Sequence, residues 1–239
     1  HWPPATGLAF LALRTGPAVV DAAAGLADGC NRAVLADGDH LMPDAKTIAF
    51  YDSAADQYAN LTKTGKPGGL LKSFMALLPP NAQVLDLGCG PARASVHMRD
   101  AGFRPDPVDA SQGMITLANE THQIGARLLT FDDLDMVAAY DGVWANFSLL
   151  HAPVADLPRH IDAIARALRS GGIFHIAMKT GEGEARDAID RMYSYVTVSA
   201  LQSMVEVASF TVLGIDEGRE VGCAGTNDPF VTMRARKNA

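Results

Sequence analysis

A short apolar strand that runs directly into a glycine-rich turn is the feature that most constrains the fold of this chain. Gln83–Leu87 has the length and character of a buried strand, and Gly88-Cys89-Gly90-Pro91 follows it at once. Glycine allows a sharp turn and a close approach of the backbone to a ligand. The helix predicted over 92–101 then begins with free N–H groups. Because ligands bind at this edge of a parallel sheet, we expect a ligand site at the end of the strand.

Strands and helices alternate from this strand to the end of the chain, which predicts βαβ units and a parallel sheet with helices on both faces. The segment from Leu157 to Leu168 shows clear helical spacing with a single apolar face. Two amphipathic helices are also expected before the strand, over 46–78. The other expected helices cover 92–101, 111–122, 157–168 and 201–208, and the expected strands cover 83–87, 105–109, 126–131, 141–146, 173–178, 210–215 and 230–236.

Residues 1–41 differ from the rest of the chain, because they are rich in Ala and Gly and show no clear hydrophobic period. A secretory signal fits them poorly, since a basic first region and a clear cleavage site are missing. We expect these residues to form a non-core extension, with Met42 as the natural start and 42–239 as the functional domain. Their deletion is then expected to leave the fold and ligand binding intact.

The composition limits the possible partners and compartment. With 48% hydrophobic residues the chain can bury a sizeable core, and its formal charge of −7 argues against a general electrostatic grip on nucleic acid or an anionic membrane. No apolar stretch approaches the ~20 residues of a membrane-spanning helix. Three scattered cysteines predict neither a disulfide framework nor a zinc site. We therefore expect a cytoplasmic protein that binds neither nucleic acid nor a membrane, holds no metal and is a monomer or a homodimer.

Three kinds of nucleotide site are candidates for the glycine-rich turn. A phosphate-binding P-loop requires GxxxxGK[ST], which the sequence lacks. The dinucleotide fingerprint GxGxxG requires glycine at the position of Arg93, so an NAD or FAD oxidoreductase is disfavoured. The remaining feature is Asp86, two residues before Gly88. A carboxylate there repels a pyrophosphate and suits a ligand with an ammonium group, such as the methionine part of S-adenosylmethionine (SAM).

The segment Asp86–Ala92 resembles motif I of the seven-strand, Rossmann-like SAM-dependent methyltransferases of the small-molecule type. The resemblance continues in order over 46–237. It implies a doubly wound, mostly parallel seven-stranded sheet with an antiparallel last strand, and lid helices over 46–78. The other segments that carry it are Phe50-Tyr51-Asp52, Val108-Asp109-Ala110-Ser111, Phe131-Asp132-Asp133-Leu134, Tyr140 to His151, and Ala167-Leu168-Arg169-Ser170-Gly171-Gly172.

The resemblance also implies which residues hold SAM. Asp109, 23 residues after Asp86, corresponds to the acid that binds both ribose hydroxyls. Either Asp132 or Asp133 reads the adenine edge, and the sequence does not decide between them. The implied cofactor-binding residues are Tyr51, Tyr58, Asp86, Gly88, Cys89, Gly90, Asp109, Ala110, Met114, Asp132, Asp133, Leu134 and Asn146.

The reaction implied by the resemblance is transfer of the SAM methyl group to a small-molecule acceptor by in-line displacement, with S-adenosylhomocysteine (SAH) as product. His151 is the candidate general base, because it follows the fourth strand and titrates near neutrality; the alternative is that it packs or caps a loop. Lys179, Arg186 and Arg191 are either anion-binding groups or a solvated helix face. The alternative function is a non-catalytic SAM-binding protein.

Two departures from the family pattern are evident. Ala92 replaces the usual third glycine of motif I and is expected to place a methyl group near the cofactor. Pro105 and Pro107 each remove an N–H group from the second strand. Both departures are expected to weaken cofactor binding or to loosen that strand.

Overall fold

The computed structural model describes residues 44–55, 66–222 and 225–239. The expectations for residues 1–41, Met42 and Tyr58 therefore lie outside the described residues. Within the described part, no helix has both the length and the apolar character needed to cross a membrane.

Six helices and nine strands are described. The helices are α1 (Ala45–Ser53), α2 (Gly69–Met75), α3 (Arg93–Asp100), α4 (Gln112–His122), α5 (Leu157–Ala167) and α6 (Val198–Val207). The strands are β1 (Gln83–Leu87), β2 (Arg104–Asp109), β3 (Arg127–Leu128), β4 (Tyr140–Asn146), β5 (Leu168–Lys179), β6 (Glu184–Arg186), β7 (Met192–Ser194), β8 (Phe210–Val221) and β9 (Asn227–Lys237).

Seven of these strands form one sheet in the order β3-β2-β1-β4-β5-β9-β8. The first five are mutually parallel, and β9 runs antiparallel to both of its neighbours. The predicted doubly wound sheet with an antiparallel last strand is confirmed. The chain moves outward from β1 to β3 and returns to β4 on the other side of β1. The edge between β1 and β4 is therefore the switch point at which ligands bind in open α/β sheets.

Alternate residues of the central strands supply two separate cores. Val143 and Phe174 face one layer, which α5 and α6 cover with residues such as Ile161. Trp144 and Ile173 face the opposite layer, which α2 and α3 cover. This alternation follows from the two-residue period of a strand. The prediction of helices on both faces is confirmed.

The two prolines of β2 do not interrupt its ladder. Arg104 donates its N–H to the carbonyl of Ala82 on the side of β1. By alternation, Pro105 and Pro107 face the side of β3. That strand pairs with β2 only at Val108 and Asp109. No N–H group is therefore needed at either proline, and the expected loosening of this strand has no basis in the ladder.

Several strands differ from the expectation, and β5 begins five residues before its predicted start at 173. The predicted strand at 126–131 shortens to two residues, and β8 extends six residues beyond its predicted end at 215, to Val221. Residues 184–194 form a small hairpin, β6–β7, which no hydrophobic alternation in the sequence predicts. Its loop is held by Asp187, whose carboxylate accepts hydrogen bonds from the backbone N–H groups of Ile189 (3.1 Å) and Arg191 (3.0 Å).

Candidate active site

The glycine-rich turn after β1 forms the floor of the site. Gly88 and Gly90 have φ values of 77° and 51°, in the left-handed region that glycine tolerates best. The N–H groups of Gly88 and Cys89 both donate to the carbonyl of Val108, at 2.9 Å each. A Cβ atom on Gly88 would lie 2.3 Å from the Cβ of Ser148. The turn is thus fitted against the loop that follows β4.

Two cavities open on either side of this turn and share Gly88, Gly90 and Asn146 as lining residues. The first has a volume of about 970 Å³ and the second about 1030 Å³, open solvent at their mouths included. Of the predicted site residues, those that line the first cavity are Tyr51, Gly88, Gly90, Asp109, Ala110, Met114, Asp132, Asn146 and His151. Asp86 and Cys89 line the second cavity, together with Arg93.

Asp86 is almost completely buried at the end of β1, with 2% of its surface exposed. Its Oδ2 accepts a hydrogen bond of 2.7 Å from the hydroxyl of Ser95. Burial raises the pKa of Asp86 to about 7, although this hydrogen bond acts in the opposite direction. A buried carboxylate of this kind favours a cationic ligand, because a positive charge beside it replaces the lost water.

Asp109 links the glycine-rich turn to the start of α4. Its Oδ2 accepts from the N–H of Gly90 (2.8 Å), and its Oδ1 accepts from the N–H of Ser111 (2.9 Å). Burial raises the pKa of Asp109, and these backbone hydrogen bonds oppose the shift. Each carboxylate oxygen keeps a further lone pair for a ligand hydroxyl.

The two acids of the segment after β3 have different roles. Asp132 lines the first cavity and forms an ion pair with Arg159 at 2.6 Å. Asp133 does not line it, because its carboxylate turns back to accept a hydrogen bond of 2.7 Å from the hydroxyl of Thr130. Leu134 does not line it either, because its side chain packs in the core. Of the two acids, only Asp132 therefore lines the first cavity, and Asp133 and Leu134 do not.

Ala92 does not line either cavity, contrary to the expectation that its methyl group lies near the cofactor. It is completely buried and packs with Ile115 and Ala118 of α4. Its φ of 57° places it in the left-handed region, which is unfavourable for a residue with a Cβ atom.

We expect Ala92→Gly to change neither stability nor affinity by much. The substitution relieves left-handed strain of about 1 kcal/mol and loses a buried methyl group worth about 0.8 kcal/mol. Thermal unfolding and calorimetry with SAH measure the two effects separately. A tenfold gain or loss in SAH affinity would place this methyl group beside the cofactor after all.

Helix α1 lines one side of the first cavity and is anchored near both of its ends. At its end, Asp52 Oδ1 accepts from the hydroxyl of Ser111 (2.6 Å) and from the N–H of Gly113 (2.9 Å), at the start of α4. Near its beginning, Thr47 Oγ1 accepts from the N–H of Met192 in the β6–β7 hairpin (2.9 Å). Sequence reasoning missed these anchors, because each joins residues more than 50 positions apart.

His151 is held at both ring nitrogens. Its Nδ1 bonds the carbonyl of Met192 (2.7 Å), which makes Nδ1 the protonated nitrogen, and its Nε2 accepts from the hydroxyl of Tyr51 (2.9 Å). The guanidinium of Arg191 donates to the same hydroxyl (3.1 Å) and pairs with Asp187. Burial lowers the pKa of His151 to about 4. This arrangement argues against the predicted general base, because the ring is a weak base with no free nitrogen.

The three basic residues considered as anion-binding groups are neutralised by acids. Lys179 pairs with Asp228, Arg186 with Asp44, and Arg191 with Asp187. None of the three lines either cavity. The segment that carries Arg186 and Arg191 is the β6–β7 hairpin, so the alternative of a solvated helix face is also excluded.

Comparisons with known proteins agree with this site. Residues 84–172, from β1 through the turn that begins β5, match the family model of a methyltransferase domain. The malonyl-[acyl-carrier protein] O-methyltransferase of Pectobacterium atrosepticum is 32% identical over 125 residues, which cover 51% of this chain and 47% of the relative. Residues 84–172 are therefore identified as a methyltransferase domain.

Two further comparisons extend this result. The trans-aconitate 2-methyltransferase of Deinococcus radiodurans is 26% identical over 151 residues, which cover 62% of this chain and 55% of the relative. This chain therefore spans about half the length of the curated relatives it matches. The fold is also that of 1,6-didemethyltoxoflavin-N1-methyltransferase from Burkholderia thailandensis, with a TM-score of 0.62, 23% identity, and coverage of 82% of this chain and 88% of that one.

Proposed function

We propose that this methyltransferase-family protein binds SAM and transfers its methyl group to a small-molecule acceptor. The observation that carries the proposal is the placement of two buried carboxylates, Asp86 and Asp109, on either side of one glycine turn. Each lines a different cavity, and the cavities share Gly88, Gly90 and Asn146. A ligand with a nucleoside at one end and an ammonium group at the other matches this pair.

The residues present fit SAM from end to end. In this proposal Asp109 binds the ribose hydroxyls, and Ala110 and Met114 contact the adenine ring. Asp132 accepts from the adenine amine, and Asp86 holds the ammonium group of the amino-acid end. Tyr51 closes the first cavity from the side of α1. Phe131, which sequence reasoning did not single out, lines the same cavity beside Asp132.

When bound, SAM supplies a methyl group on a sulfonium, which a nucleophile removes in line with release of SAH. The chain's own contribution is alignment, which in general lowers a barrier by up to ~7–11 kcal/mol. The lid α1 excludes water from the first cavity, and a dry cavity favours a reaction in which charge is neutralised. In the described part of the chain, the displacement itself requires no acid or base other than the SAM-binding residues named above.

We further infer that the accepting atom is a carboxylate oxygen. A carboxylate is already ionised at neutral pH and needs no general base, which agrees with the bonded, neutral ring of His151. Two of the relatives act, by their names, on a malonyl group and on trans-aconitate, and both compounds are carboxylic acids.

We expect His151→Gln to retain most of the turnover, with kcat reduced less than about tenfold, because glutamine can accept from Tyr51 and donate to Met192. Removal of a true general base costs about 10²–10⁴-fold. At saturating SAM, kcat on an acid acceptor is expected to be flat over about pH 6 to 9, since the pKa of His151 is lowered to about 4 and its ring stays neutral throughout. A hundredfold loss of kcat, or a rate that rises tenfold per pH unit, would restore His151 as the base.

Calorimetry and labelled-methyl transfer test the proposed function. The protein is expected to bind SAM and SAH and to ignore NADH. Labelled methyl groups should appear on members of a panel of small di- and tricarboxylic acids, and the products should be methyl esters. Binding of NADH in place of SAM would refute the proposal. Binding of SAM without methyl transfer to any acceptor of the panel, to phenols or to amines would favour a non-catalytic binding protein.

A further inference from the structure

The β6–β7 hairpin contacts two parts of the first cavity's wall at one place. Its residues Arg191 and Met192 are neighbours in the chain. Arg191 contacts Tyr51 of α1, and Met192 contacts His151 in the loop after β4. Tyr51 and His151 line the first cavity, whereas the two hairpin residues do not. The hairpin therefore touches residues of the cavity wall without being part of it.

Arg191 divides its guanidinium between two partners. Nε and Nη2 both donate to Oδ2 of Asp187, at 2.9 and 2.7 Å, and Nη1 donates to the hydroxyl of Tyr51 at 3.1 Å. Only 3% of the side chain is exposed. The rings of Phe50, Tyr51 and Tyr193 lie around it, with centroids 5.3, 5.7 and 5.1 Å from Cζ. A planar group that donates from all three of its nitrogens has one fixed position.

The hydrogen bonds through Tyr51 and His151 run in one direction. Arginine can only donate, so the hydroxyl oxygen of Tyr51 accepts from Arg191 and its single proton is donated to Nε2 of His151 (2.9 Å). Nδ1 of His151 then carries the ring proton and donates to the carbonyl of Met192 (2.7 Å). The series starts at Arg191 and ends at the next residue of the hairpin. Turning either ring therefore breaks two of these three bonds at once.

This arrangement keeps Arg191 from serving as a partner for an anion in the cavity. Its three nitrogens are engaged, and neither it nor Asp187 lines the cavity. A buried ion pair is also a weak stabiliser, because the cost of taking two charges out of water offsets most of their attraction. Moving either partner, however, leaves a buried charge uncompensated. The pair therefore favours one arrangement, and that arrangement includes the two rings of the cavity wall.

We propose that Arg191 is a positioning residue for methyl transfer, which acts through the hydroxyl of Tyr51 and holds Tyr51 and His151 as one fixed wall of the first cavity. The inference rests on the proposed function. The C–O bond to the methyl group forms as the C–S bond breaks and its electron pair moves to sulfur, so no proton leaves through His151. The rate then depends on alignment, and a misplacement of about 1 Å can cost about a hundredfold.

The first test separates the hydroxyl of Tyr51 from its ring. Tyr51→Phe keeps a ring in the wall and removes both the acceptor for Arg191 and the donor to His151. The acceptor used is the di- or tricarboxylic acid of the panel that the unmodified protein methylates fastest. With labelled SAM we expect kcat to fall about tenfold or more. SAH affinity, measured by calorimetry on the full chain, should change by less than about threefold, since Asp86 and Asp109 are untouched.

A double-mutant cycle shows whether Arg191 acts through that hydroxyl. Arg191→Lys keeps a positive charge and replaces the three-nitrogen fork by one nitrogen, so the bond to Tyr51 is lost. Alone it should lower kcat about as much as Tyr51→Phe does, and in the Tyr51→Phe background it should change kcat by less than about twofold. Lys46→Ala is the matched control, because Lys46 joins α1 to the same hairpin through an exposed ion pair with Asp190 (3.2 Å). Its kcat should be unchanged.

The contrary outcomes are distinct. Additive losses of kcat in the double variant, or no loss in Tyr51→Phe, would overturn the inference and leave the proposed function in place. Lowered thermal stability with unchanged kcat would show that these bonds only hold the fold together. If Arg191→Lys does not fold, Arg191→Gln combined with Asp187→Asn removes both charges together and completes the same cycle. Failure of the unmodified protein to methylate any acid of the panel would overturn the proposed function and this inference with it.

Discussion

Replacing Gly88 by alanine is expected to abolish measurable SAH binding and to destabilise the protein. The new Cβ atom would lie 2.3 Å from the Cβ of Ser148, so the turn or the loop after β4 must move. Left-handed strain adds about 1–2 kcal/mol, and overpacking typically costs about 1–3 kcal/mol. Because Gly88 lines both cavities, the same movement displaces Asp86 from Asn146. We expect a loss of SAH affinity of about a hundredfold or more.

Gly102→Ala is the matched control for this substitution. Gly102 has a similar φ of 86°, and no atom lies within 4 Å of the position of its Cβ atom. The Gly102→Ala variant should therefore be destabilised only by the left-handed strain of about 1–2 kcal/mol, and it should keep its SAH affinity. Adding Ser148→Gly to Gly88→Ala removes the clash and should recover part of the lost stability, as measured by a double-mutant cycle. Equal effects at Gly88 and Gly102 would show that the clash is unimportant.

Asp86→Asn is expected to make the protein more stable and its cofactor binding weaker. The pKa of Asp86 is raised from 3.8 to about 7 by burial, so the folded state binds this proton more tightly than the unfolded state. The contribution of Asp86 to the free energy of unfolding is greatest below about pH 4. It is lost as the pH rises through about 7, and the total loss is on the order of 4 kcal/mol. Asparagine does not ionise, so the variant should be more stable at pH 8 by about 2 kcal/mol or more.

In the proposed function, the ammonium group of the ligand binds the same carboxylate and needs its negative charge. In the unmodified protein SAH affinity should fall about tenfold per pH unit below pH 7, because a proton competes for Asp86. In Asp86→Asn the SAH affinity should be weak at every pH. Its binding free energy should be less favourable by about 1.5–3 kcal/mol than that of the unmodified protein at pH 8. Calorimetry and thermal unfolding at pH 6 and pH 8 measure both effects.

Asp141→Asn provides a control of opposite sign. Asp141 lies near the start of β4, away from the cavities, and hydrogen bonds from Arg169 and Gln83 lower its pKa although burial opposes them. This lowered pKa contributes stability above the unfolded value near 4, so the variant should lose stability at pH 8 and keep its SAH affinity. If Asp86→Asn behaved in the same way, Asp86 would be a structural acid and not a ligand-binding one.

The sequence predicted the parts of the site that strands and turns place. Asp86 and Asp109 lie at the carboxyl ends of adjacent parallel strands, and such ends meet at one edge of a sheet, so their proximity could be predicted before the structure. The glycines between β1 and α3 were equally predictable, since only they tolerate the turn. Asp132 and Asp133 could not be distinguished, because side-chain direction in a loop follows no period.

The remaining parts depend on contacts between distant segments. His175 lies in an apolar run of β5, where it looks like a core residue, and its hydrogen bond to Asn146 appears only when β4 lies beside β5. The bonds that occupy His151 come from α1 and β7, at positions 51 and 192. No local pattern reports either arrangement, which is why a free general base was the natural expectation.

Ser111 serves both the ribose-side acid and the lid, because its N–H holds Asp109 while its hydroxyl holds Asp52 of α1. In the proposed function, the contact of α1 with α4 and the binding of ribose by Asp109 therefore share one residue. Linkage is reciprocal, so a change that strengthens the contact of α1 with α4 is expected to strengthen nucleoside binding by the same factor, and the reverse. A solute that weakens the contact of α1 with α4 is then expected to weaken nucleoside binding without entering the first cavity.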